Sequence, residues 1–219
     1  MGQRTAALSL SLLNGFEVRH DGAPLRVPLS AQRVVAFLGL NPGRVARIFV
    51  AGHLWMDANE ERAAAALRTA LWRLGSRGSE LVCCDGQSLS LAPSVEVDVT
   101  TSTRLARDLL EDDSTPLRAD LFAELRDAGE LLPDWYDDWV LIGRERHRQL
   151  RLHALDHLCV RLSAEGRHAA ATEAGLAAVA SEPLRESAHR VLIAAHIAEA
   201  TRARRCVSTA SAAPCWIAI

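Results

Sequence analysis

Hydrophobic positions alternate through the first thirty residues. Leu8, Leu10 and Leu12 take turns with Ser9 and Ser11, and Phe16 and Val18 follow an Asn14-Gly15 pair suited to a tight turn. Asp21-Gly22 marks another turn before Leu25, Val27 and Leu29, so the spacing predicts a small antiparallel sheet. The period then becomes helical. Val34, Phe37 and Leu38 share one face of a helix that Ser30 can cap and Asn41-Pro42-Gly43 stops. A second helix over residues 47–55 buries Val50 and Leu54, and residues 56–58 lead tightly into a third helix over 59–74.

The third helix organises the N-terminal half. Ala64, Leu67, Leu71 and Leu74 recur at intervals of three and four and form its apolar face. Asp57 or Asn59 can cap its start, Glu60 and Glu61 suit the positive end of the helix dipole, and Gly75 ends it. The opposite face carries Arg62, Ala65, Ala66, Thr69, Trp72 and Arg73, with Arg68 on its flank and no carboxylate beyond the first turn. That composition suits a helix entering a DNA major groove. A hairpin follows, residues 81–84 and 88–91 around Asp85-Gly86. Sheet, three helices and hairpin is the order of a winged helix-turn-helix, and the leading sheet narrows it to the response-regulator type.

From residue 98 the periodicity is helical throughout, which makes the fold mainly α. Residues 98–110 and 117–125 read as helices, and Leu131-Leu132-Pro133 leads into a long helix through Trp135, Trp139, Leu150, Leu155 and Leu158. Gly166 and Pro183 are 17 residues apart, half the period of about 34 at which tetratricopeptide repeats recur. Ala169, Ala170, Ala174 and Ala177 supply small contacts for such a helix pair. The expected division is a winged-helix domain over 1–97, an all-α tetratricopeptide-like domain over 98–200 and an aberrant tail over 201–219. The tail lacks a helical stripe, and codons compatible with residues 204–219 can be read in a shifted frame as a helix-forming string, so a frameshift is the expectation.

Composition narrows the chemistry. Lys and Arg together number 25, and every one is arginine, which excludes P-loop lysine chemistry and Schiff bases. Residues 1–97 hold 10 Arg against 8 acids, and residues 98–219 hold 15 against 19, so the formal net charge of −2 hides a weakly electropositive N-terminal half. No apolar run is long enough to span a bilayer, residues 1–7 do not read as a signal peptide, and the five cysteines form no CxxC pair; the expectation is a cytoplasmic protein.

The runs GFEVRHDGAPLRVPLSAQRVVAFLGLNPGRV, LWMDANEERAAAALRTALWRL and LLPDWYDDWVLIGRERHRQLRLHALDHL together resemble the actinobacterial antibiotic regulatory proteins. These join a winged-helix DNA-binding domain to a bacterial transcriptional activation domain. The resemblance implies an activator of a secondary-metabolite gene cluster that binds direct repeats in double-stranded DNA, pairs as a homodimer there and contacts RNA polymerase. It places DNA contacts on Arg62, Arg68, Thr69 and Arg73. Arg44 and Arg47, at the start of the second helix, are candidate phosphate clamps, and Arg77 and Gln87 flank the wing. Trp72 is expected to pack against the wing or the second helix. Ala66 stands where relatives carry a polar residue. No receiver domain is expected from this sequence, so the resemblance implies no phosphorylation site.

His153, His157 and Cys159 make a conceivable metal face, as do His189 and His196, but neither has a third ligand at a recognisable spacing. No nucleophile, base and oxyanion donor assemble, so the expectation is a non-enzyme with no cofactor, no metal and no membrane partner. The competing reading is a tetratricopeptide-like interaction module whose winged helix has lost its affinity for DNA.

Overall fold

The computed structural model describes residues 8–75, 78–112, 117 and 119–211. They form two compact units, one of Met1–Arg104 with Ala128–Arg148 and one of Leu105–Asp127 with Gln149–Ile219. The chain therefore leaves the first unit, returns to it and leaves again, which differs from a single cut at residue 97.

In the first unit, β1 (Leu8–Ser11), β2 (Glu17–His20), β3 (Ala23–Pro24) and β7 (Val95–Val97) make one sheet in the order β3-β2-β1-β7. The first three strands are antiparallel, as the alternation predicts. The sheet as a whole is mixed, because β7 joins β1 in parallel, Leu8 opposite Val95 and Leu10 opposite Val97. A three-residue strand offers too little alternation to be seen in sequence. Leu8, Leu10, Leu12 and Val18 are buried with Val34, Val35, Phe37 and Leu38 of α1 (Leu29–Leu40). Gly39 of α1 lets that helix sit close to the strand, since a Cβ there would stand 3.0 Å from both the Leu10 and Leu12 side chains. Ser30 does not cap α1. Pro28 holds the cap position without a side-chain bond, and Ser30 lies in the first turn, where its hydroxyl accepts from Arg73.

The winged helix continues with β4 (Val45–Ala46), α2 (Arg47–Leu54), α3 (Glu60–Arg73), a single turn α4 (Gly78–Leu81) and the hairpin β5 (Val82–Asp85) and β6 (Ser88–Leu91). β4 pairs with β6 and makes the wing three-stranded, in the order β4-β6-β5.

The end of β1 is fastened twice. The Asp98 carboxylate, at the start of α5 (Asp98–Glu111), accepts from the Leu12 N–H at 2.9 Å and the Leu13 N–H at 3.1 Å. Residues 130–132 then return alongside, with Asn14 donating to Glu130 O at 2.8 Å and Leu132 to Leu12 O at 2.9 Å. Arg144 binds the carbonyls of Leu131, Leu132 and Trp135 from the far side and so satisfies a turn in which Leu132 takes a positive φ of 41°. The long helix α7 (Asp138–Ala164) starts only at Asp138. Trp135, expected inside it, instead precedes it and stacks on Phe16, while Trp139 meets Phe37 edge-on at 5.3 Å. Asp137 pairs with Arg33 at 2.5 Å.

The second unit is helical. It holds α6 (Ala119–Asp127), the later part of α7, α8 (His168–Ser181) and α9 (Glu186–Ser211). Of the small residues expected at the α8–α9 contact, Ala174 is buried and Ala170 and Ala177 are half-buried beside it, while Ala169 is exposed; Ala171 and Ala178 complete the stripe, in one cluster with Ala188 and Ala195. At Gly175 an added Cβ would lie 3.0 Å from the Leu192 side chain and 3.3 Å from its backbone, so glycine sets how closely the two helices approach. Gly166 turns the chain between α7 and α8 with φ +74°, and Arg185 forms a half-buried ion pair with Asp156 that Ser187 shares. α9 does not stop near residue 200. It runs on to Ser211, because 201–211 contain neither glycine nor proline and a helix already packed along its first half propagates through them. Residues 212–219 of the expected tail lie outside the described residues.

Burial raises the pKa of Asp98, and its bonds from Leu12, Leu13 and Val99 oppose that rise. A carboxyl raised on folding contributes stability that is full below its unfolded value of 3.8 and is lost as pH rises through the folded value. Asp98→Ala, which strands the backbone donors of Leu12, Leu13 and Val99, is expected to cost about 2 kcal/mol in denaturant unfolding. Asp98→Asn keeps an acceptor without the charge. It is expected to cost less, and its stability relative to the native chain should improve as pH rises above 3.8 and through the raised folded value.

Candidate nucleic-acid interface

The centre of the site is α3. Asn59 caps it, its side chain accepting from the Arg62 N–H at 3.0 Å, and Glu60 and Glu61 occupy the first turn. Ala63, Leu67 and Ala70 are buried, with Leu71 and Leu74 half-buried beside them. This stripe is turned about 50° from the one predicted on leucine spacing, at about 100° per residue. Four consecutive alanines carry little hydrophobic weight, so the leucines alone biased the reading.

Arg62, Arg68, Thr69, Trp72 and Arg73 are all exposed. Thr69 donates its hydroxyl proton to the Ala65 carbonyl at 3.0 Å, leaving its oxygen lone pairs and methyl outward. Arg73 gives one N–H to Ser30 at 3.2 Å, which braces it toward α1 and leaves the rest of its guanidinium free to reach outward. Trp72 is not packed against the wing or α2 as expected. It is 80% exposed, while Trp55, Trp135 and Trp139 are half-buried.

The wing and α2 meet at one point. Arg47 is the first residue of α2, and its backbone N–H donates to the Gln87 carbonyl at 2.8 Å, so one of the outward N–H groups of that helix is taken by the wing turn. Arg44, just ahead of β4, pairs with Asp85 at 2.7 Å, both side chains being largely exposed. An exposed pair of this kind holds little energy and opens readily to a phosphate. The structure thus brings Arg44, Arg47 and Gln87 to the wing tip, and Arg62, Arg68, Thr69 and Arg73 to α3. Arg77 lies outside the described residues. Ile48 and Phe49 of α2 are both exposed: Phe49 lies against His53 with ring centroids 3.9 Å apart, and Ile48 lines a groove of about 430 Å³ with Trp55, Met56, Ala64 and Leu67.

The histidine and cysteine candidates are dispersed. His153 is exposed, Cys159 is buried, and burial with the nearby Asp156 pushes the Cys159 thiol up to about 11. Among the described residues no group of three His, Cys, Asp or Glu side chains stands close enough to hold a metal ion. Cys83 and Cys84 are both exposed on β5. No described helix is long and apolar enough to cross a membrane.

Residues 97–205 match the family model described as the bacterial transcriptional activator domain. No curated protein sequence matches the chain. Among solved structures, the fold is similar to Mycobacterium tuberculosis EmbR, a structure determined with a low affinity phosphopeptide, with a TM-score of 0.65 and 18% identity over 91% of this chain. The match spans 57% of the EmbR chain. With a winged helix at its start, this chain carries behind it a domain of the bacterial transcriptional activator family.

Proposed function

We propose that this protein is a sequence-specific activator of a secondary-metabolite gene cluster, reading direct repeats through α3 in the major groove and binding as tandem subunits. The observation that carries this reading is the exposed face of α3: three arginines and a threonine on a capped helix whose carboxylates are confined to its first turn. Arginine can bind guanine O6 and N7 as a pair, and threonine can meet a base edge or a thymine methyl. Arg47, Arg44 and Gln87 at the wing tip, with Arg77, would hold the phosphate backbone. Contact with RNA polymerase through the helical domain is supported by membership of the activator family. As a regulator of this kind the chain would need no cofactor and catalyse no reaction.

A second reading, an interaction module with little DNA affinity, draws on the Arg44–Asp85 pair, which offsets one wing charge. Salt dependence separates the two, because neutralised phosphates release their counterions. On a duplex selected from a random library, the activator reading expects binding to weaken with salt at a log–log slope of about −3 per subunit, as for three or four phosphates. A slope near zero would favour the interaction module. Arg68→Ala is expected to cost about 1 to 3 kcal/mol of binding and to relax preference at one guanine. Arg73→Ala serves as its comparison: a uniform loss across sequences with a shallower slope would mark a phosphate contact.

A further inference from the structure

Trp72 is the side chain that neither folding nor the arginine contacts explain. Its indole makes no ring contact and no hydrogen bond among the described residues, and at 80% exposure it adds little to the core. Its position on α3 is specific. At about 100° per residue, Trp72 lies about 170° around the helix from the centre of the buried stripe of Ala63, Leu67 and Ala70. It is therefore the residue farthest from the core on that helix. Arg68 and Thr69, one turn earlier, lie about 40° and 60° to either side of it, whereas Arg62 and Arg73 lie nearer the margins. Ala65, two turns earlier and about 20° from the same outer line, is small, so the indole is the large apolar group on a strip that Arg68 and Thr69 flank.

Charge on this face points to one occupant. Arg62, Arg68 and Arg73 surround the indole, and the only acids of α3 are Glu60 and Glu61 in its first turn. A polyanion fits that setting, and duplex DNA offers a flat ring one apolar target in the major groove, the C5 methyl of thymine. We propose that Trp72 is a specificity-determining residue that reads a thymine methyl at the centre of each half-site, between bases or phosphates met by Arg68 and Thr69. The inference rests on the DNA-binding reading given above, and it adds an apolar, thymine-selective element to a face otherwise read as arginine-dominated.

The test uses the full chain. Duplexes are selected from a random library with the native protein, and each thymine of the selected site is then replaced singly by uracil, which removes only the methyl. The proposal expects one thymine per half-site at which uracil weakens native binding about fourfold, the worth of one buried methyl group. Trp72→Ala should bind the thymine duplex correspondingly weakly and show no further loss on uracil at that position, while retaining the native salt slope. Because Trp72 is exposed, the variant should keep the native thermal midpoint, which is checked in parallel. A Trp72→Ala protein that binds as tightly as the native chain, or that still senses the methyl, overturns the proposal and leaves the DNA-binding reading intact. A native chain that selects no duplex overturns both.

Discussion

The two fastenings at the end of β1 are the constraint on which the rest of the first unit depends. A four-residue strand of alternating leucines is short even between two neighbours, and here the N–H groups of Leu12 and Leu13 just beyond it are taken by the Asp98 carboxylate while the Leu12 carbonyl receives Leu132. One side of that junction is the first residue of α5, and the other is the returning segment 130–132. Between them they bring Trp135 onto Phe16 and Trp139 onto Phe37, so aromatic residues from the activator-domain sequence complete the core that supports α1. Arg144 supports this by donating to the carbonyls of Leu131, Leu132 and Trp135, of which Leu132 O also accepts from the Trp135 N–H, in a turn with a left-handed residue. The family's activator region and the compact unit thus follow different boundaries: the match begins at residue 97, yet 128–148 belong to the first unit.

α1 in turn positions the face that α3 offers. Leu67 and the small residues Ala63 and Ala70 let α3 pack closely, and the Arg73–Ser30 bond holds its last turn toward α1. Rigid packing on one side and a cap at the start leave the outer strip to be chosen for recognition rather than for stability. That division of labour is why an exposed tryptophan can persist there without loss to the fold.

Much of this was legible in the sequence. The strand alternation of Leu8, Leu10 and Leu12, the three helices, the Asn59 cap and the wing hairpin all follow from local patterns, and so do the arginines of the exposed strip. What was hidden depended on partners far apart in the chain or on residues without hydrophobic weight. β7 is too short to announce itself, and Trp135 lies outside α7 because its ring is needed on Phe16, ahead of a helix that starts only at Asp138. The rotation of the α3 stripe turned on alanines that periodicity counts lightly, and with it went the placement of Trp72. The end of α9 is hidden for a related reason: residues 201–211 carry no apolar stripe to announce a helix, yet the absence of glycine and proline lets it continue.

The central claim is that α3 reads base edges in the major groove, and guanine N7 methylation interference on a selected duplex tests it most directly. A methyl group on N7 blocks the paired arginine contact without touching the minor groove or the backbone. The account predicts that binding is lost when one or two guanines in each repeat are methylated. Binding that tolerates methylation at every guanine and fails only on minor-groove modification would contradict it.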